Sequence, residues 1–349
     1  MNNNDINDIR QQKDFNGKSF SKFKKVEVVK EYIQCILKNQ IESACNWSAE
    51  LICAGHFIAL WDTILLIISK YIHIGNPKLP IYILMRFNKF KDIISNGYIG
   101  NELLLRNNDT IRKLFAEITS VLCLSTKKPG LETIKIKSNE FNTNLMSSKF
   151  KAPHINYSKD IFKINDPKEL FIAINELAYQ LDRSNNLLEC CYWIEWIIEL
   201  DNICRKKKEP LLASARSFAP TKHEKDIIWI IWELIIYKCN NEIQKKCVNA
   251  LLELFSLKYN NSSKKKRRHI LYFAIELLIE SVNYNINIID ERDKIIISNV
   301  SKNIDKIYKN IKKNEITPKT DYLFNGMKPS KSNAEMSVKK LEILKKINS

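Results

Sequence analysis

Two Trp-x-x-Trp pairs, Trp193/Trp196 and Trp229/Trp232, constrain this chain more than any other feature. Each sits in a nearly unbroken apolar run, 192–200 and 227–237, interrupted by only one or two acids. Residues i and i+3 share a helix face, so each pair makes one broad aromatic ridge. A helix that is apolar on every side must be buried on every side. The pairs stand 36 residues apart, which suits two helices of similar build packed on one another. Core packing is therefore the favoured reading of the four tryptophans. Were they exposed, they would offer a socket for a protein partner or a stacking platform for bases. The charges interleaved with them, Glu195, Glu199 and Glu233, are acidic and argue against bases. The spacing is similar to that of helical-hairpin repeats. It does not extend, because the next aromatic helix carries Tyr272 and Phe273 out of register.

The rest of the chain supports helices. Only 7 of 349 residues are Gly and 9 are Pro, too few for the tight turns of a sandwich, barrel or doubly wound sheet, while 45% are apolar, enough for a large core. The expected fold class is all-α, a multi-helix bundle or irregular stacked helical hairpins, with at most a short strand pair near 131–137.

Six segments are expected along the chain. Residues 1–20, polar and rich in Asn, read as a disordered tail. Residues 21–125 read as an N-terminal helical domain, with helices over 25–38, 48–74, 81–95 and 109–124. The 48–74 segment holds Ser48 as a plausible cap, and its apolar stretch is interrupted by His56 and Asp62, which fits a core helix and not a membrane span. Residues 126–165 are mostly aperiodic and read as a linker or insertion. Residues 166–313 read as a C-terminal helical domain. Its start signals are Asp166-Pro167, Ser184 before the first Trp helix, and a Thr221–Glu224 capping box before the second. A linker over 314–333 and a terminal amphipathic helix over 334–349 follow.

Charge is the sharpest functional signal. A net charge of +17 suits a polyanion partner, although an Asn-, Ile- and Lys-rich composition raises Lys content without any partner. The run Lys264, Lys265, Lys266, Arg267, Arg268 opens a helix, where cations oppose the dipole; an anion there would remove the conflict. Arg205, Lys206, Lys207 and Lys208 end the first Trp helix, where cations suit it. From Lys264 onward there are 19 basic and 10 acidic residues, so the C-terminal part is the better candidate for polyanion contact.

No phosphate loop, dinucleotide fingerprint, zinc-protease or calcium-loop pattern is present, and neither is a nucleophile elbow or a kinase signature. The nine cysteines form no C-x-x-C and mostly fall in apolar runs, which reads as reduced core thiols of an intracellular protein. The best enzyme-like group is Glu50, His56, Asp62 and Arg86, with His73 nearby, but helical rotation spreads it over different faces. Glu195 and Glu199 form an i,i+4 carboxylate pair that could hold a cation or line a solvated stripe. No cofactor or metal is expected.

The segment from Trp47 to Gly55, continuing through Asn76-Pro77-Lys78-Leu79-Pro80 to Arg86, resembles uncharacterised proteins of large nucleocytoplasmic DNA viruses of protists. So does Glu209 to Arg216. The resemblance implies a place in the infected cell, cytoplasm or nucleus, or in the virion, and implies no activity. The expected function is a non-enzymatic interaction or scaffold protein that contacts nucleic acid or another polyanion through a C-terminal basic surface. An enzyme with a buried acidic site in the N-terminal part, or a structural virion protein, are the alternatives.

Overall fold

A computed structural model describes residues 5–141 and 146–317. The protein is all-α: the described residues contain no strand, only two isolated bridges, Lys18 with Lys24 and Leu212 with Asp226. Residues 131–137 form no strand pair. Their side chains Leu131, Ile134 and Ile136 lie half-buried against the core, and just before them Lys128 N–H and Gly130 N–H donate to the Ile72 and Lys70 carbonyls.

The helices are α1 Lys25–Leu37, α2 Ile41–Cys53, α3 Phe57–Leu66, α4 Leu79–Ser95 and α5 Asp109–Leu124 in the N-terminal half. The C-terminal half holds α6 Phe171–Tyr179, α7 Leu187–Lys206, α8 Ile228–Tyr237, α9 Glu242–Ser256, α10 Ser263–Lys266, α11 Arg268–Ile279 and α12 Glu291–Lys312. One contiguous hydrophobic core runs from Ile6 to Ile311. α12 packs on α5 and α2, and α9 packs on α4, so the two halves are not separate domains. The division expected from the aperiodic 126–165 stretch fails because that stretch is itself anchored: Ile161 is buried, and Gly130 N–H donates to the Lys70 carbonyl. Within the expected tail, residues 5–20 are likewise packed, since Ile6, Phe15 and Phe20 are core residues. The tail also pairs with the far end of the chain through Ile9 N–H to the Ile316 carbonyl. The expected terminal helix and most of the linker before it lie outside the described residues.

The single helix expected over 48–74 is three pieces. α2 ends at Cys53, and Gly55 takes a left-handed φ of 71°. α3 follows, and a wider π-type turn occupies Ile67–Ile72 before His73 at φ 51°. Ser48 lies inside α2 and caps nothing. The stretch Phe57–Gly75 is long and apolar enough to cross a membrane, yet most of it is buried in the protein.

Caps also differ from expectation. α7 is capped by Asn186, whose side chain accepts from Glu189 N–H, and Thr221–His223 forms a short 3₁₀ turn well before α8. Asp166 is not a cap: its carboxylate receives both Nη atoms of Arg216 at 2.6 Å. The two Trp helices, whose matched spacing suggests mutual packing, are not packed chiefly on one another. Both pack against α6 and α11, and each has its own aromatic partners. Trp193 and Trp196 meet Phe150 and Phe141; Trp229 and Trp232 meet Phe255, and Trp229 also meets Tyr259. All four tryptophans are buried.

Candidate nucleic-acid interface

The basic run does not present itself to solvent as a block. Lys264 on α10 is 3% exposed. Its Nζ lies 2.5 Å from Asp201 Oδ2 and 2.8 Å from both carboxylate oxygens of Asp226. Lys265 donates to Glu199 at 2.7 Å, and Arg268 pairs with Glu195 at 3.0 Å. Arg267 donates to the carbonyls of Phe255 and Leu257, covering orphan acceptors at the end of α9, and reaches Asp62 at 3.3 Å. Lys266 is exposed and has no ion pair among the described residues. The sequence gives no structural reason for five cations here. The fold supplies one: Glu195, Glu199 and Asp201 line α7 opposite them. The acids of the Trp helix and the basic run are each other's partners.

This pairing also settles the Glu195/Glu199 pair. Burial pushes the Glu195 carboxyl above its ordinary range, although Arg268 and the Tyr272 hydroxyl, 2.8 Å away, act against that. Burial acts the same way on Glu199, but Lys265 and Asn202 outweigh it and hold that carboxyl below the ordinary range. Both carboxylates are engaged by side chains. Among the described residues no group of three or more His, Cys, Asp or Glu is arranged to hold a metal ion. Burial raises Cys45 and Cys123 to about 12, far from reactive thiolates.

Of the second basic group, Arg205 is drawn into the same network, 2.7 Å from Asp201 and 3.4 Å from Asp226. Lys206, Lys207 and Lys208 are exposed, with no ion pair among the described residues.

A regular cationic surface lies outside both basic runs, on α12. α12 buries Ile297, Ile304, Tyr308 and Ile311 on one side, and packing on α5 and α2 fixes that side inward. Arg112 of α5 stacks 4.3 Å over the Tyr308 ring and bonds Asp305 at 3.0 Å, which fixes the helix's rotation. The opposite face carries Lys302, Lys306 and Lys309, with Lys313 at the C-cap, all exposed. The spacing of four, three and four places them in one row about 16 Å long. None has an ion pair among the described residues, and Lys313 bonds only the Asn310 amide. Asn299, Asn303 and Asn310 border the row, and no aromatic side chain does. Helix-dipole compensation accounts for Lys309 and Lys313 in the last turn but not for Lys302 and Lys306. The signal was legible in the sequence as an i, i+4, i+7, i+11 lysine pattern.

The enzyme-like residues do not converge. Glu50 accepts from Ser21 N–H at 2.9 Å and from its hydroxyl at 2.5 Å. His56 Nε2 lies 2.6 Å from the Lys18 carbonyl, and burial lowers its pKa. Asp62 meets Arg267, and Arg86 meets Glu117 at 2.5 Å. The break at Gly55 sets Glu50 and Asp62 in different helices, so each faces its own neighbours. Buried, the four tryptophans offer no surface to a protein partner or to bases.

No family model matches the chain, and no curated protein or solved structure matches it.

Proposed function

We propose that the protein is a non-catalytic helical module that contacts nucleic acid through the lysine row of α12, with Lys206, Lys207 and Lys208 as a second contact. The observation that carries this reading is the row itself: four cations with no ion pair among the described residues, on one helix face at a mean rise near 5.5 Å, on a helix whose other side is locked into the core. Exposed lysines at that spacing suit successive backbone phosphates. With no aromatic side chain along the row, the contact is to a duplex backbone and not to stacked single-stranded bases. It carries no sequence preference, since nothing on that face is built to read base edges. The likeness of two short segments to viral proteins belongs to the same proposal, as a place in an infected cell, and gives no residue a role.

The test is fluorescence anisotropy with labelled duplex DNA, single-stranded DNA and RNA, at low and physiological salt. The wild type is compared with a variant in which Lys302, Lys306, Lys309 and Lys313 are replaced by Gln. The expected result is preferred duplex binding in the wild type. In the variant, affinity falls and the log–log salt slope shrinks by roughly 3 to 4. Its thermal midpoint should not move, because all four side chains are exposed. Unchanged affinity in the variant, or wild-type binding that vanishes at physiological salt for every probe, removes the proposal.

A further inference from the structure

We infer that the groove between α3 and α4 binds a long-chain carboxylate, a hydrocarbon body with a single anionic head. The inference is independent of the lysine row and rests on other residues.

The groove encloses a cavity of about 440 Å³, within the range of small-molecule sites. Its floor is Phe57, Trp61, Leu65, Phe87, Phe90 and Ile94. The rings hold each other: Trp61 lies edge-on to Phe87 at 5.0 Å, and is tilted against Phe90 at 5.5 Å and Phe115 at 5.4 Å. A floor braced in this way does not collapse to fill the space. At the mouth, Ile58 and Ile99 are 64% and 73% exposed, so apolar surface continues outward into water.

The floor decides the body of the ligand. Its six side chains are hydrocarbon apart from the Trp61 indole N–H, and the uncharged polar side chains of the lining are Gln12 and Ser95, so a sugar or nucleobase lying over the floor would lose more hydrogen bonds to water than it regains. A hydrocarbon loses nothing. The mouth decides the head. Lys91 and Lys258 line it, are exposed, and have no ion pair among the described residues. Lys258 is held there by a left-handed φ of 44° just past the end of α9, a conformation lysine rarely takes. Two acids also line the mouth. Arg267 engages Asp62, which leaves Glu102 as the acid facing two lysines, and the mouth is net positive. A second hollow of about 260 Å³ shares Asp62, Leu65 and Arg267 with the first and reaches Ile270 and Lys266, which gives room for a longer chain.

The experiment is calorimetric titration of the full chain with dodecanoate below its micellar concentration, with dodecyltrimethylammonium as the cationic control. Two variants are compared, Ile58→Glu and the pair Lys91→Glu with Lys258→Glu. These positions are exposed, and unchanged thermal midpoints confirm the fold. Saturable binding of one dodecanoate is expected, at least about tenfold weaker in each variant, with the cationic amphiphile at least about tenfold weaker on the wild type. Three results overturn the inference: no saturable binding of dodecanoate, equal affinity for the cationic amphiphile, or undiminished affinity in either variant.

Discussion

Lys264 Nζ lies 2.5 Å from Asp201 Oδ2, although the two residues are 63 positions apart and each belongs to a segment that looks solvated by composition. Asp226 completes the site, and Arg205 closes its outer edge. Removing one partner of such a buried pair leaves an uncompensated charge. Lys264→Met is expected to lower unfolding stability by about 3–5 kcal/mol. Lys266→Gln, two residues on and exposed, should stay within about 0.5 kcal/mol. Chemical denaturation of both variants checks this; similar losses would contradict the placement of Lys264.

Asp166 and Arg216 form a fully buried ion pair, both side chains enclosed and joined by two bonds of 2.6 Å. Burial alone would raise the Asp166 carboxyl. The Arg216 guanidinium and the amides of Lys163 and Ser214 outweigh it and hold the carboxyl below its ordinary range. A depressed folded value means stability that is present above the unfolded pKa of about 3.9 and is lost as pH falls from there. Thermal midpoints should therefore drop steeply below about pH 4. In Asp166→Asn the protein should be weaker at neutral pH and that part of the acid-linked drop should vanish. A wild-type acid profile retained by the variant would assign the drop to other carboxylates.

His269 on α11 is buried, and its pKa is lowered to about 4, first by burial and then by Lys70 and Arg268. Glu132 acts the other way, and His73 adds to the lowering. The folded protein thus holds a neutral imidazole that an unfolded chain would protonate near 6.5. The resulting stability is present above about pH 6.5 and is lost between there and about 4. His269→Phe should flatten this slope while the wild type shows it. Proton NMR of the imidazole should find no titration of His269 above pH 5, and an ordinary midpoint near 6.5 would refute the assignment.

Gly75 lies where the 125–130 turn crosses the end of the π-type segment. A Cβ there would sit 2.3 Å from the Thr126 carbonyl oxygen, a backbone atom that cannot swing away. Gly75→Ala is expected to cost about 1–3 kcal/mol through overpacking, measured by denaturant unfolding. A neutral result would mean that the turn can lift off the helix end without loss.

Much of the architecture follows from local pattern. α5 spans the residues its periodicity predicts, 109–124, and α1 and α4 fall within a few residues of expectation. Apolar spacing is a local property, and helices with one strong apolar stripe are legible from it. The helix expected over 48–74 failed for the opposite reason. A stretch this apolar shows little phase, so its periodicity marks neither the break at Gly55 nor the widened turn at Ile67–Ile72. The tail of 1–20 failed because a few buried side chains, Ile6, Phe15 and Phe20, anchor a segment whose average composition is polar.

The candidate site divides in the same way. The sequence by itself determined that this chain is helical, that its tryptophans lie inside, and that its charge is positive, because each rests on composition or on spacing within one helix. Only the tertiary structure decided which cations are free. Whether a lysine meets a carboxylate or water depends on the element packed opposite, and 63 residues separate Lys264 from Asp201 while 205 separate Arg267 from Asp62. All of the densest basic run but Lys266 is therefore taken up by pairing inside the protein, and a sparser row of lysines on α12 remains open to solvent.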